Sequence, residues 1–164
     1  MMESAIRDAL EDFGRTIEEA AARLLLITEA ESEARRAAGK WSRKEILGHL
    51  IDSAANNHAR FVEAQAKEDM VFSGYEQESW VALQHYQEAS WPALVNLWQA
   101  YNLHLLHVVS HIPQERLQQP RHPHTLHRIA WQLVDESEPA TLEYLIRDYI
   151  AHMKNHLRQI FAEQ

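Results

Sequence analysis

The segment Trp41-Ser42-Arg43-Lys44-Glu45-Ile46-Leu47-Gly48-His49-Leu50-Ile51-Asp52-Ser53 joins a helix start to a one-sided apolar pattern. The Ser42 hydroxyl can cap the first turn, while Glu45, three residues on, can reach back to the Ser42 amide as a capping box. Ile46, Leu50, Ala54 and Phe61 recur at helical spacing, which predicts an amphipathic helix to about Lys67. His49 lies at the edge of that apolar arc. Ser53, Asn56 and Arg60 follow it at i+4, i+7 and i+11 as a polar stripe beside the apolar one.

The same reading extends outward. Upstream, Ile6, Leu10, Phe13, Ile17, Leu24 and Ile27 predict a helix from about Ser4 to Ala38, with Gly39 as its stop. Downstream, residues 68–75 are turn-rich, and a shorter helix is expected near Gln77–Glu88. Ser90-Trp91-Pro92 starts a third long helix that should stop before Pro113. Gln114 to Pro139 is interrupted by Pro120 and Pro123, with a short helix around Leu126–Val134. Thr141 then caps a last helix from Leu142 to about Phe161. The expected fold is all-α: one domain over residues 1–164, a four-helix bundle with a long crossover before the last helix. A less regular helical array is the alternative.

Composition narrows the function. Cysteine is absent, which removes disulfides, thiolate metal sites and a cysteine nucleophile. The net charge of −8 argues against a nucleic-acid partner. No apolar run approaches the roughly 20 residues that cross a bilayer. Met1-Met2-Glu3-Ser4-Ala5-Ile6-Arg7-Asp8 has no signal-peptide core, so a cytoplasmic protein without a membrane partner is expected. The chain carries 11 histidines, a residue type that ligates metals and moves protons, so their placement matters most.

His152 and His156, at i and i+4 on the last predicted helix, point from one face. They flank the apolar arc of Leu142, Leu145, Tyr149, Met153 and Ile160, as His49 flanks its own. Three neutral imidazoles desolvated together are costly unless something satisfies their lone pairs, and a divalent cation does. Spacing alone leaves two readings open, metal ligands or histidines at the edges of the core.

Residues 41–53 resemble the second-helix signature of the DinB/YfiT-like superfamily. Thr141-Leu142-Glu143-Tyr144-Leu145-Ile146-Arg147-Asp148-Tyr149-Ile150-Ala151-His152-Met153-Lys154-Asn155-His156-Leu157-Arg158-Gln159-Ile160 resembles its last-helix signature. Gly74-Tyr75-Glu76-Gln77-Glu78-Ser79-Trp80 resembles the connector between them. The resemblance, over about residues 40–162, implies a four-helix bundle with a divalent metal ion on His49, His152 and His156. Zinc or nickel come first, with manganese or iron as further candidates. It also implies a small-molecule substrate, a homodimer, and thiol-dependent transferases or isomerases using bacillithiol or mycothiol among the relatives. The expected activity is a metal-dependent transferase of the thiol S-transferase type, or a hydrolase, with an open coordination position.

Ser53, Asn56 and Arg60 are candidates for orienting ligands or substrate. A non-catalytic, metal-stabilised helical dimer acting as a stress-linked binding module is the alternative, since no nucleophile and no compelling general base stand out. A polar network with no ion is a third reading. His104, His107 and His111 read as a solvated face, His122, His124 and His127 as a solvated loop, and His58 and His85 as helix-surface residues.

Overall fold

Four long helices, α1 (Met2–Leu24), α3 (Arg43–Ala66), α5 (Trp91–Ser110) and α8 (Leu142–Phe161), carry the core of the computed structural model. Residues 2–162 are described, with side chains from Ile6 onward. Short helices α2 (Glu29–Glu33), α4 (Gln77–Leu83), α6 (Gln114–Gln118) and α7 (Leu126–Ile129) lie in the connections. Both α1 and α3 pack on α5 and on α8, so α1 faces α3 across one diagonal of the bundle and α5 faces α8 across the other. Phe13, Ile17, Leu47, Phe61, Trp98, Leu105, Met153 and Ile160 fill the interior. Among the described residues no helix is long and apolar enough to cross a membrane.

The start of α3 follows the sequence. Ser42 Oγ accepts from the Glu45 N–H at 3.2 Å, and Glu45 Oε2 accepts from the Ser42 N–H at 2.8 Å. These bonds satisfy two amides that a helix start leaves unpaired. Thr141 Oγ1 likewise accepts from the Tyr144 N–H at 3.1 Å to begin α8.

The first helix departs from expectation, ending at Leu24 instead of Ala38. The Trp91 indole donates to the Leu24 carbonyl at 2.8 Å, taking one of the acceptors a helix end leaves open. Thr28 and Glu31 then form a second capping box and start α2. Gly39, at φ +74°, belongs to the following turn and ends no long helix.

The crossover from α5 to α8 is pinned at several points. Arg121 and Ala140 exchange backbone hydrogen bonds at 2.8 and 3.1 Å. The buried Arg121 guanidinium donates to the Ala64 carbonyl, and Arg116 donates to that of Lys67 at 2.7 Å. Both cations thus serve the C-terminal end of α3, where free carbonyls and the helix dipole favour positive charge. The helix expected through Val134 stops at Ile129, and the Trp131 and Gln132 amides turn instead to Asp148, each at 2.8 Å.

Candidate metal centre

His49 projects from α3 towards α8, which presents His152 and His156 one turn apart. Each ring offers a nitrogen, and the three lie within 4.8 Å of one another. His49 Nε2 and His152 Nε2 are 3.2 Å apart. Two nitrogens held at tetrahedral zinc bond lengths stand roughly 3.4 Å apart, so this pair already has ligand spacing. The ring centroids of His49 and His156 are 4.8 Å apart and those of His152 and His156 are 4.6 Å apart, all three pairs meeting edge to face.

The surroundings favour neutral imidazoles with available lone pairs. Burial, reinforced by the charges the other two rings can carry, pushes His49 down to about 3. Burial and His156 push His152 down to about 4, and burial also lowers His156. His156 Nδ1 lies 2.8 Å from Gln159 Oε1, an acceptor that places the ring's proton on Nδ1 and leaves Nε2 free to ligate. His49 Nδ1 is buried without a hydrogen-bond partner among the described residues. Its ring, tilted against Trp41 at 5.2 Å, makes its polar contact through Nε2, at the meeting point of the three rings. This donor set fits a single divalent ion.

The centre borders a cavity of about 290 Å³, lined by His152 and His156 and, further along, by Ser53, Asn57, Arg60 and Trp131. His49, only 1% exposed, does not line it. Of the polar stripe read from the sequence, Ser53 and Arg60 reach this cavity. Asn56 does not: its amide donates to the Asp52 carbonyl at 2.9 Å, and it lines a separate groove with Phe72 and Ser73. Asn57 takes its place, buried and donating to the Ser53 carbonyl at 2.9 Å. At 100° per residue Asn57 points along the apolar arc of Ile46, Leu50 and Phe61, whereas Asn56 points away. A polar residue inside an apolar arc was the signal that could have identified it.

Sequence reasoning also passed over Tyr75, Asp148 and Asp52. Burial pushes the Tyr75 hydroxyl up to about 12, so it lines the cavity as a neutral phenol. Asp148 supports the wall formed by Trp131 and Gln132. Asp52, one turn after His49, accepts from Tyr86 at 2.6 Å and Gln84 at 2.7 Å through Oδ1. Burial raises its pKa.

A model of the DinB superfamily matches residues 12–160. The chain belongs to the DinB superfamily. A solved structure with the same fold is YfiT from Bacillus subtilis, described as "a probable metal-dependent hydrolase with an unusual four-helix bundle topology". It is 20% identical with a TM-score of 0.72, and the match covers 92% of this chain and 83% of that one. No curated protein is significantly similar in sequence.

The other histidines of this DinB-superfamily chain serve different ends. His104, His107 and His111 are exposed on and just past α5, as expected. His58 is half-buried, with Nδ1 3.1 Å from the Tyr101 hydroxyl, and His85 occupies a left-handed turn after α4 instead of a helix surface. The loop reading fails for His124, which is buried: its Nδ1 accepts from the Leu126 N–H at 3.1 Å and its Nε2 donates to the Glu138 carbonyl at 2.7 Å. Both ring nitrogens are spent on pinning the crossover.

Proposed function

We propose that the chain is a metal-dependent enzyme acting on a small molecule, with His49, His152 and His156 holding one divalent cation. Zinc and nickel suit the nitrogen set best, and manganese and iron are further candidates. The observation that carries this reading is the convergence of three neutral imidazoles, from α3 and α8, beside a cavity. Three protein nitrogens leave a fourth position open, as in catalytic rather than structural zinc sites. When bound, the ion supplies Lewis acidity that lowers the pKa of a water or thiol in that position.

The chain's own residues supply orientation and enclosure. Gln159 fixes the tautomer of His156, and burial keeps His49 and His152 unprotonated at neutral pH. Access from the cavity favours catalysis over the metal-stabilised dimer, which works equally well with a sealed site. Hydrolysis is supported by the description of YfiT, and transfer to a low-molecular-weight thiol by the resemblance to thiol-dependent relatives. The two reactions differ in the nucleophile brought to the same open position.

Elemental analysis of gently purified protein is expected to find one divalent ion per chain. A metal-free preparation, with His152→Ala leaving metal content unchanged, removes the basis of the reading. The loaded protein is then assayed for ester and amide hydrolysis, and for conjugation of bacillithiol, mycothiol or glutathione to electrophiles. Turnover in one set and not the other assigns the nucleophile.

A further inference from the structure

Arg60 is 94% removed from solvent, at 6% exposure, and lines both the cavity beside the histidines and the separate groove that holds Asn56 and Ser73. Its contacts are a 2.9 Å hydrogen bond to the Ser73 carbonyl and a longer one, 3.4 Å, to Asn57 Oδ1. A guanidinium has five N–H donors, so several are left over. Among the described residues no carboxylate lies within ion-pair distance of Arg60. Buried charges are ordinarily paired, because desolvating an ion costs several kcal/mol that only a partner offsets.

The cavity's other charges point the same way. Arg128, exposed at the rim, also lines it and has no ion-pair partner among the described residues. The one lining carboxylate is that of Asp148, both of whose oxygens are occupied by the Trp131 and Gln132 amides. Two cations without ion-pair partners among the described residues, beside one engaged anion, leave the pocket locally positive in a chain whose net charge is −8. Arg121, another buried guanidinium without a carboxylate partner, spends its donors on the Ala64, Lys67 and Arg116 carbonyls, whereas Arg60 has only the Ser73 carbonyl and the long contact to Asn57.

We infer that the cavity takes a substrate bearing an oxyanion, a carboxylate or phosphate that Arg60 binds while the reacting group faces the histidines. The inference rests on the proposed enzyme reading for what the substrate undergoes, and on Arg60 alone for how it is recognised. A guanidinium binds such groups through two parallel N–H donors, which fixes orientation as well as charge. From His49 to Arg60 the helix backbone rises roughly 16 Å, a span that the long Arg60 side chain, leaning back to Asn57, shortens. A volume of about 290 Å³ is at the small end of ligand pockets, which restricts the substrate to a small acid.

Isothermal titration of the full chain with succinate, inorganic phosphate and the neutral succinamide tests this, in metal-free and zinc-loaded forms. Succinate or phosphate should bind both forms, and succinamide at least tenfold more weakly. Arg60→Gln should weaken acid binding at least tenfold, with metal content unchanged from wild type. Preference for phosphate over succinate, or the reverse, assigns the oxyanion. Equal binding of succinamide, an unaltered Arg60→Gln, or no binding of either acid overturns the inference. Should Arg60→Gln not fold, Arg60→Lys and the acid-against-amide comparison on wild type decide. Acid binding by a protein that takes up no metal upholds Arg60 while rejecting the metal reading, so the two fail separately.

Discussion

The Tyr86 ring occupies the space in which a side chain on Gly48 would stand: a Cβ built on Gly48 collides with Cδ2, Cε2 and Cγ of Tyr86. This close approach lets the Tyr86 hydroxyl donate to Asp52 Oδ1 at 2.6 Å, one helical turn after His49. Glycine in the middle of α3 would otherwise be a local liability.

Gly48→Ala is therefore expected to reverse the usual sign. Alanine normally stabilises a helix interior by roughly 0.5–1 kcal/mol relative to glycine. Here the methyl group collides with a ring that is itself buried, and overpacking of this kind costs about 1–3 kcal/mol. Urea unfolding should show the variant less stable than wild type. A more stable variant means that Tyr86 moves aside freely and the packing argument is wrong.

Metal removal supplies a second prediction. An ion that binds only the folded protein stabilises it by about 2.7 kcal/mol at a hundredfold excess over its dissociation constant. For a chain of this size that raises the unfolding temperature by roughly 5–10 °C. Zinc or nickel added to EDTA-treated, dialysed protein should give such a rise. His49→Ala and His152→Ala should each remove most of it. An unmoved melting curve in wild type favours a polar network without an ion.

The sequence made the four long helices legible because each combines a cap with a sustained apolar arc, as Ser42 and Glu45 do ahead of Ile46 and Leu50. It also marked the three imidazoles, since i and i+4 on α8 fix His152 and His156 to one face, and His49 flanks the apolar arc of α3 in the same way, the resemblance then joining the three. Less visible were features that depend on distant partners. Leu24 ends α1 where the Trp91 indole meets its carbonyl, 67 positions along the chain. His124 looks like a loop residue until Leu126 and Glu138 close around it. The choice of Asn57 over Asn56 depended on one residue's rotation about the α3 axis, finer than a stripe drawn at i+7 can resolve.

Protonation should oppose both stability and metal binding on the acid side. His49 titrates near 3 when folded, and His152 near 4, against an ordinary value of 6.5. With a depressed folded pKa, the unfolded chain binds the proton first. The contribution is thus complete above pH 6.5 and is lost as pH falls towards 3–4. In chelator-treated protein, each histidine should account for about 1–2 kcal/mol of lost stability between pH 7 and pH 5. His49→Phe should flatten this acid limb in urea-unfolding measurements at pH 7, 6 and 5. Parallel wild-type and variant profiles would show that His49 is not shielded from protons in the folded state.

Asp148 joins the wall of the cavity to the helix that carries two of the three histidines, so its removal should affect both stability and recognition. Its two oxygens accept from the Trp131 and Gln132 amides, and it stands one turn before His152. Asp148→Ala leaves both amides without these acceptors, at a cost of about 1–3 kcal/mol for each one that stays buried. Asp148→Asn keeps one carbonyl acceptor and should retain part of that stability. Because the three imidazoles themselves are untouched, any metal content should be preserved in Asp148→Asn, while amide hydrogen exchange at residues 131 and 132 accelerates. Unchanged exchange at those two amides would mean that the wall is held by other contacts, with Asp148 a passive neighbour of the metal centre.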